Sequence, residues 1–70
     1  MKWNFCDDEK PPSPGWYPVL VCYDDQEGVF PMAAEWDGGK WLHGAVVGFG
    51  DLCDTQEKAQ KLAYENDPDL

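Results

Sequence analysis

Ala34-Glu35-Trp36-Asp37-Gly38-Gly39-Lys40-Trp41 is the stretch on which the fold turns. Two adjacent glycines can take both positive-φ positions of a two-residue hairpin turn. Asp37 and Lys40 then close the turn as a charge pair, and Trp36 and Trp41 fall directly opposite each other. Cross-strand aromatic pairs of this kind contribute roughly 0.2–1 kcal/mol. The segment predicts two antiparallel strands that meet at residues 38 and 39.

The strand that enters the hairpin is expected over residues 29–36. Phe30, Met32, Ala34 and Trp36 share one of its faces, and Pro31 places its start at an edge or after a bulge. Upstream, Asp24-Asp25-Gln26-Glu27-Gly28 reads as a turn, with Gly28 supplying φ > 0. Before that turn, residues 17–23 form a strand with Tyr17, Val19, Val21 and Tyr23 on one face and Leu20 and Cys22 on the other. Downstream, a third strand starts at Lys40, breaks near Gly44 and resumes through Ala45-Val46-Val47-Gly48-Phe49.

A helix follows over residues 55–65. Asp54 is the expected N-cap, Glu57 reaches back as in a capping box, and Glu57–Lys61 is a favourable i,i+4 pair. Ala59, Leu62 and Ala63 make a narrow apolar stripe whose small side chains allow close packing. Asn66 suits the C′ position and Pro68 stops continuation.

These elements predict an α+β fold: a three-stranded antiparallel meander packed by one C-terminal helix, β-β-β-α. The expected core is Val19, Leu20, Val21, Phe30, Trp36, Trp41, Val47, Phe49, Leu62 and Ala63, with the Trp36–Trp41 pair beneath the helix. Residues 1–15 are expected as an N-terminal arm and proline-rich linker, and 16–70 as a single domain. Within the arm, Trp3-Asn4-Phe5 alternates and is compatible with a small edge strand. Pro11, Pro12 and Pro14 make the rest extended and stiff.

Seventy residues bury only about 60% of the unfolded chain's surface, so each large side chain matters. Ten aromatics, four of them Trp, supply that bulk.

Fourteen acidic residues face five lysines and no arginine, for a net charge of −9. Nucleic-acid binding replaces counterions with Lys or Arg, so direct nucleic-acid binding is disfavoured, as is an anionic membrane surface. No apolar run approaches the ~18 residues that span a bilayer, and residues 1–8 lack a signal-peptide core. The expected location is cytoplasmic, in a host cell. Cys6, Cys22 and Cys53 are odd in number and widely spaced, which predicts free thiols rather than a disulfide framework.

Catalytic chemistry finds little material. The one serine, Ser13, lies among prolines, and His43 is the one histidine. A Cys22–His43 or Cys53–His43 pair lacks a basic environment that would lower the thiol pKa. Cys6, Cys22, His43 and Cys53 lack the short ligand spacing of zinc sites, and the acidic turn is too short for an EF-hand loop. No enzyme activity, cofactor or metal is expected.

Residues 19–41, from Val19-Leu20-Val21-Cys22-Tyr23 through the acidic turn to Ala34-Glu35-Trp36-Asp37-Gly38-Gly39-Lys40-Trp41, resemble a small domain of unknown function found in phage and prophage accessory proteins. In that family a Trp-containing N-terminus and a Pro-rich approach precede the first strand, and Trp3 and Pro11 to Pro14 match them. The family usually ends in a Trp-x-Pro-Leu-Pro segment, where this chain has its helix. The resemblance implies mobile-element origin and a small α+β scaffold, with no activity attached.

The expected function is a non-enzymatic acidic binding protein of phage or mobile-element type. It would inhibit a nucleic-acid-handling protein of host or phage by occupying its basic surface, as a DNA mimic. A domain of this size has a length of about 28 Å. One DNA strand of that length carries about 8 charges, close to the net charge here. Asp7, Asp8, Glu9, Asp24, Asp25, Glu27, Glu35 and Asp37 are the candidate partner contacts. The chain is expected as a monomer or weak homodimer. The alternative is a small scaffold that binds through exposed aromatics, its acidity serving only solubility. Acids gathered on one face favour the first reading, and exposed tryptophan favours the second.

Overall fold

The structure, a computed structural model, describes residues 1–68. Four strands and one helix follow in the order β1 (Asn4–Phe5), β2 (Gly15–Val21), β3 (Phe30–Trp36), β4 (Val46–Phe49) and α1 (Gln56–Glu65). The α+β class with one C-terminal helix is as the patterning requires. The two-residue alternating stretch at Asn4–Phe5 adds a fourth strand to the three expected.

The strand order is β1-β4-β2-β3, with every neighbouring pair antiparallel, so the sheet is not a meander. The strand expected to continue the hairpin, β4, pairs instead with β2. The cause lies in residues 37–45. After the turn, Trp41 bridges Trp36 and the Leu42 N–H donates to the Glu35 carbonyl at 2.9 Å, which prolongs the hairpin by only two residues. The chain then breaks at Gly44 and Ala45, the latter in the left-handed region at φ 66°. The Ala45 carbonyl next accepts from the Cys22 N–H at 3.0 Å, on the far edge of β2.

Because β3 and β4 both run antiparallel to β2, they are parallel to each other. Residues 37–45 therefore form a crossover that brings the chain back to the end where β3 began. The same logic applies to β1 and β2, which both run antiparallel to β4. Residues 6–14 are the second crossover. Both straps lie over one face of the sheet. Tyr17 donates its hydroxyl to the Ser13 carbonyl at 2.6 Å, and a side chain added at Gly38 in the strap of residues 37–45 would meet the Pro14 ring of the strap of residues 6–14 at 3.5 Å. Residues 1–15 thus contribute β1, a buried Pro11 and the first residue of β2.

Tyr17, Val19, Val21, Ala34, Trp36 and Phe49 form the buried cluster on this strapped face, joined by half-buried Cys6, Met32, Trp41 and Val46. The Trp41 ring sits 5.1 Å from Trp36, 5.7 Å from Tyr17 and 5.9 Å from Phe49. The helix covers the opposite face, onto which Pro18 and Leu20 point. Ala59 and Ala63 are fully buried there and stand outside the aromatic cluster. Trp3, in the same register as Gly48 and Gly50, donates from its indole nitrogen to the Asn66 carbonyl at the helix C-terminus, 2.9 Å away. The Trp36–Trp41 pair therefore does not lie beneath the helix, as expected, but beneath the straps.

Three further expectations are corrected. Phe30 is 38% exposed rather than core, because it begins β3 at an end that neither strap nor helix covers. Thr55, not Asp54, caps the helix: its hydroxyl accepts from the Lys58 N–H at 3.2 Å, and Asp54 instead pairs with the Lys58 ammonium at 3.4 Å. Strand β2 starts and ends two residues earlier than the alternation suggested, so Tyr23 lies beyond it. Pro18 is accommodated in this central strand because its carbonyl and ring nitrogen face the position where β4 has already ended. The Gly50 N–H still reaches the Pro18 carbonyl at 2.9 Å, and no return bond is required of the proline.

Candidate functional site

The eight carboxylates expected to contact a partner do not share one face. Asp7, Asp8 and Glu9 form an exposed turn just past β1, where the Asp8 and Glu9 N–H groups both donate to the Phe5 carbonyl at 3.1 Å. Asp24, Asp25 and Glu27 occupy the exposed loop between β2 and β3. Strands β1 and β2 point the same way, so these two loops lie at the same end of the sheet. From β1 to β3 the sheet is three strand spacings wide, about 14 Å. Asp37 lies at the other end of β3, about 20 Å away along the strand. Glu35 is half-buried near that far end, on the helix face.

Asp37 has a structural task there. Its Oδ1 accepts from the Gly39 and Lys40 N–H groups, each at 2.8 Å. These bonds hold its carboxyl below the usual aspartate range, with the Lys40 charge adding to them. The turn is closed by this carboxylate on the backbone rather than by the expected Asp37–Lys40 ion pair. Gly38 alone of the two glycines takes positive φ, at 104°.

The six acids at the shared end make no ion pair among the described residues, where Lys58–Asp54 is the salt bridge formed. Between the two loops sits the start of β4, and there the His43 Nε2 lies 3.1 Å from the Tyr23 hydroxyl. The Tyr23 ring packs at 6.4 Å from Phe30, and both rings are over a third exposed. An aromatic pair therefore adjoins the acidic loop. Sequence alternation had put Tyr23 and Phe30 on inward-facing positions. Their exposure follows from the early end of β2 and from the crossover, neither of which leaves a local signal.

The thiols are dispersed. Burial pushes the Cys6 thiol up, opposed by a contact with Trp41 and reinforced by Asp7. Burial, then Asp51 and Asp54, push Cys53 up, and its Sγ lies 3.4 Å from the Asp51 carbonyl. Cys22 is exposed at the end of β2. None of the four tryptophans is fully exposed: Trp36 is buried and Trp3, Trp16 and Trp41 are half-buried. A shallow open depression on α1 is lined by Glu57, Gln60, Lys61, Tyr64 and Glu65. One helix supplies all of its lining. Among the described residues no helix is long and apolar enough to cross a membrane, and no group of three or more potential metal ligands is assembled.

Comparisons with protein-family models, with curated proteins and with solved structures find no match to this chain.

Proposed function

We propose that this protein is a non-enzymatic acidic binding module that occupies a basic surface on a nucleic-acid-handling partner. It does so with the end of its sheet that carries Asp7, Asp8, Glu9, Asp24, Asp25 and Glu27. The supporting observation is that two loops present six exposed carboxylates at one end, in no ion pair among the described residues. A single DNA strand carries about four charges over the ~14 Å width of the sheet. Six carboxylates, less the adjacent Lys10, match or exceed that density. Glu35 and Asp37 are not part of this surface. The acidic reading is thus narrower than a whole face of the molecule. The mobile-element character suggested by the hairpin resemblance belongs to the same proposal.

A second reading has its own observation. The exposed Tyr23–Phe30 pair is the kind of aromatic patch that anchors interfaces, with acidity incidental. Titration of the chain with a synthetic lysine-rich peptide separates the two. Charged surfaces are screened over about 10 Å at 0.1 M salt and about 3 Å at 1 M, so acid-driven binding weakens steeply with salt. Single-stranded DNA should compete for the peptide. Reversing the charges of Asp24 and Glu27 should slow association more than it speeds dissociation. Salt-independent binding that survives the reversal but is lost in Phe30→Ala supports the aromatic reading instead.

A further inference from the structure

Strand β3 is one of the two outer strands of the sheet, and part of its outer edge carries no partner among the described residues. Residues 31, 33 and 35 turn their backbone groups away from β2, as the Leu42 N–H to Glu35 carbonyl bond establishes. The strap occupies this edge only at Glu35. Next to it, the N–H and carbonyl of Ala33 and the carbonyl of Pro31 point outward, and no bond among the described residues reaches them. Pro31 sits where its missing N–H costs the sheet nothing. It also limits how far an added strand can pair.

The side chains beside this open window differ on its two faces. On the helix face lies Glu35, half-buried and without an ion-pair partner among the described residues. On the strapped face lie the exposed Phe30 ring and its neighbour Tyr23. Asp24, Asp25 and Glu27 lie in the loop that leads into β3.

We propose that the edge at Pro31–Ala33 accepts an extended basic segment of a partner protein as an added strand. This rests on the acidic-binding reading above and extends beyond its surface, from the Asp24–Glu27 loop along the β3 edge to Glu35. In strand addition, main-chain bonds give affinity and alternate side chains give specificity. Here one set of alternate side chains falls beside Glu35 and the other beside the Phe30–Tyr23 pair. A lysine or arginine suits both, as an ion pair on one face and as a cation over a ring on the other. Charge selects this occupant over a second copy of the chain, which would bring another −9 to the interface. A two-fold pairing about Ala33 would also set Glu35 of each copy against Pro31 of the other, where the ring nitrogen cannot donate.

The test uses the full chain, unaltered, and two synthetic peptides in which pairs of lysines alternate with pairs of valines, so that an extended strand carries lysine on both faces. The second peptide is N-methylated at every other backbone nitrogen, with its charge unchanged. The Ala33 amide should exchange rapidly in the free protein and slow by about tenfold or more with the first peptide. The N-methylated peptide should bind about tenfold more weakly at equal salt, the effect of losing one or two backbone bonds. Equal binding of both peptides overturns strand addition. If that binding still falls with salt, the acidic reading survives without it. Failure of both peptides to bind overturns both. Concentration-dependent protection of Ala33 without peptide, together with a dimer in sedimentation, assigns the edge to a second copy and overturns the proposal.

Discussion

Tyr17 is fully buried, and its hydroxyl finds the Ser13 carbonyl at 2.6 Å. A buried phenol without an acceptor would be costly, so the proline strap is as much a partner for Tyr17 as a cover for it. Tyr17→Phe should cost about 1 kcal/mol in denaturant unfolding. Hydrogen exchange should show the loss concentrated in residues 6–14. Trp41 touches Tyr17, Trp36 and Phe49, and although it is half-buried its replacement by Ala should cost about 3 kcal/mol, the low end for a core tryptophan. A chain of this length has a total stability of about 4–10 kcal/mol, so Trp41→Ala should remove a large share of it, read as a clearly lower denaturant midpoint. Asp37 acts through its charge. Its folded pKa is depressed by two backbone N–H groups, so its contribution is present above the ordinary aspartate pKa of about 3.9 and fades as pH falls through the folded value. Asp37→Ala should therefore lower the unfolding midpoint at neutral pH, and the difference should shrink in acid. Among the thiols, Cys22 should react first with a disulfide reagent at neutral pH. Cys6 and Cys53, whose pKa values are raised, should follow more slowly.

The helix, the turn at Gly38 and the inward alternation of Val19 and Val21 were legible because each is written within a few neighbouring residues. The strand order was not. Nothing local in Val46-Val47-Gly48-Phe49 distinguishes pairing with β3 from pairing with β2. The choice is made by a left-handed Ala45 and by aromatic packing of Trp41 across the sheet. For the same reason the tryptophan pair was recognised but assigned to the wrong face. Strand β1 is two residues long and was legible only as a brief alternation. It is held by pairing with β4 and by the Trp3 indole bond to the helix end. Trp3→Phe keeps an aromatic six-membered ring and removes that bond. It should cost about 0.5–1.5 kcal/mol and loosen the last turn of α1, read as faster amide exchange at residues 62–66.

The molecule measures 29 × 23 × 18 Å, longer than the ~10 Å over which charge is screened at 0.1 M salt, so where its −9 is placed matters. The candidate contacts were chosen from the sequence as a single set, and the topology divides them. Because β1 and β2 are parallel, two acidic loops meet at one end, while Asp37 is spent on its own turn. On the proposed function this end, and not acidity in general, binds the partner. The direct measurement compares two triple variants for affinity to the lysine–valine peptide at low salt. One neutralises the loop (Asp24→Asn, Asp25→Asn, Glu27→Gln), and the other removes the same charge elsewhere (Asp51→Asn, Glu57→Gln, Glu65→Gln). At roughly 0.5 kcal/mol per charge, the loop variant should lose about tenfold in affinity and the control little. Equal losses in the two variants would contradict the account, because the acidity would then act only as a diffuse field.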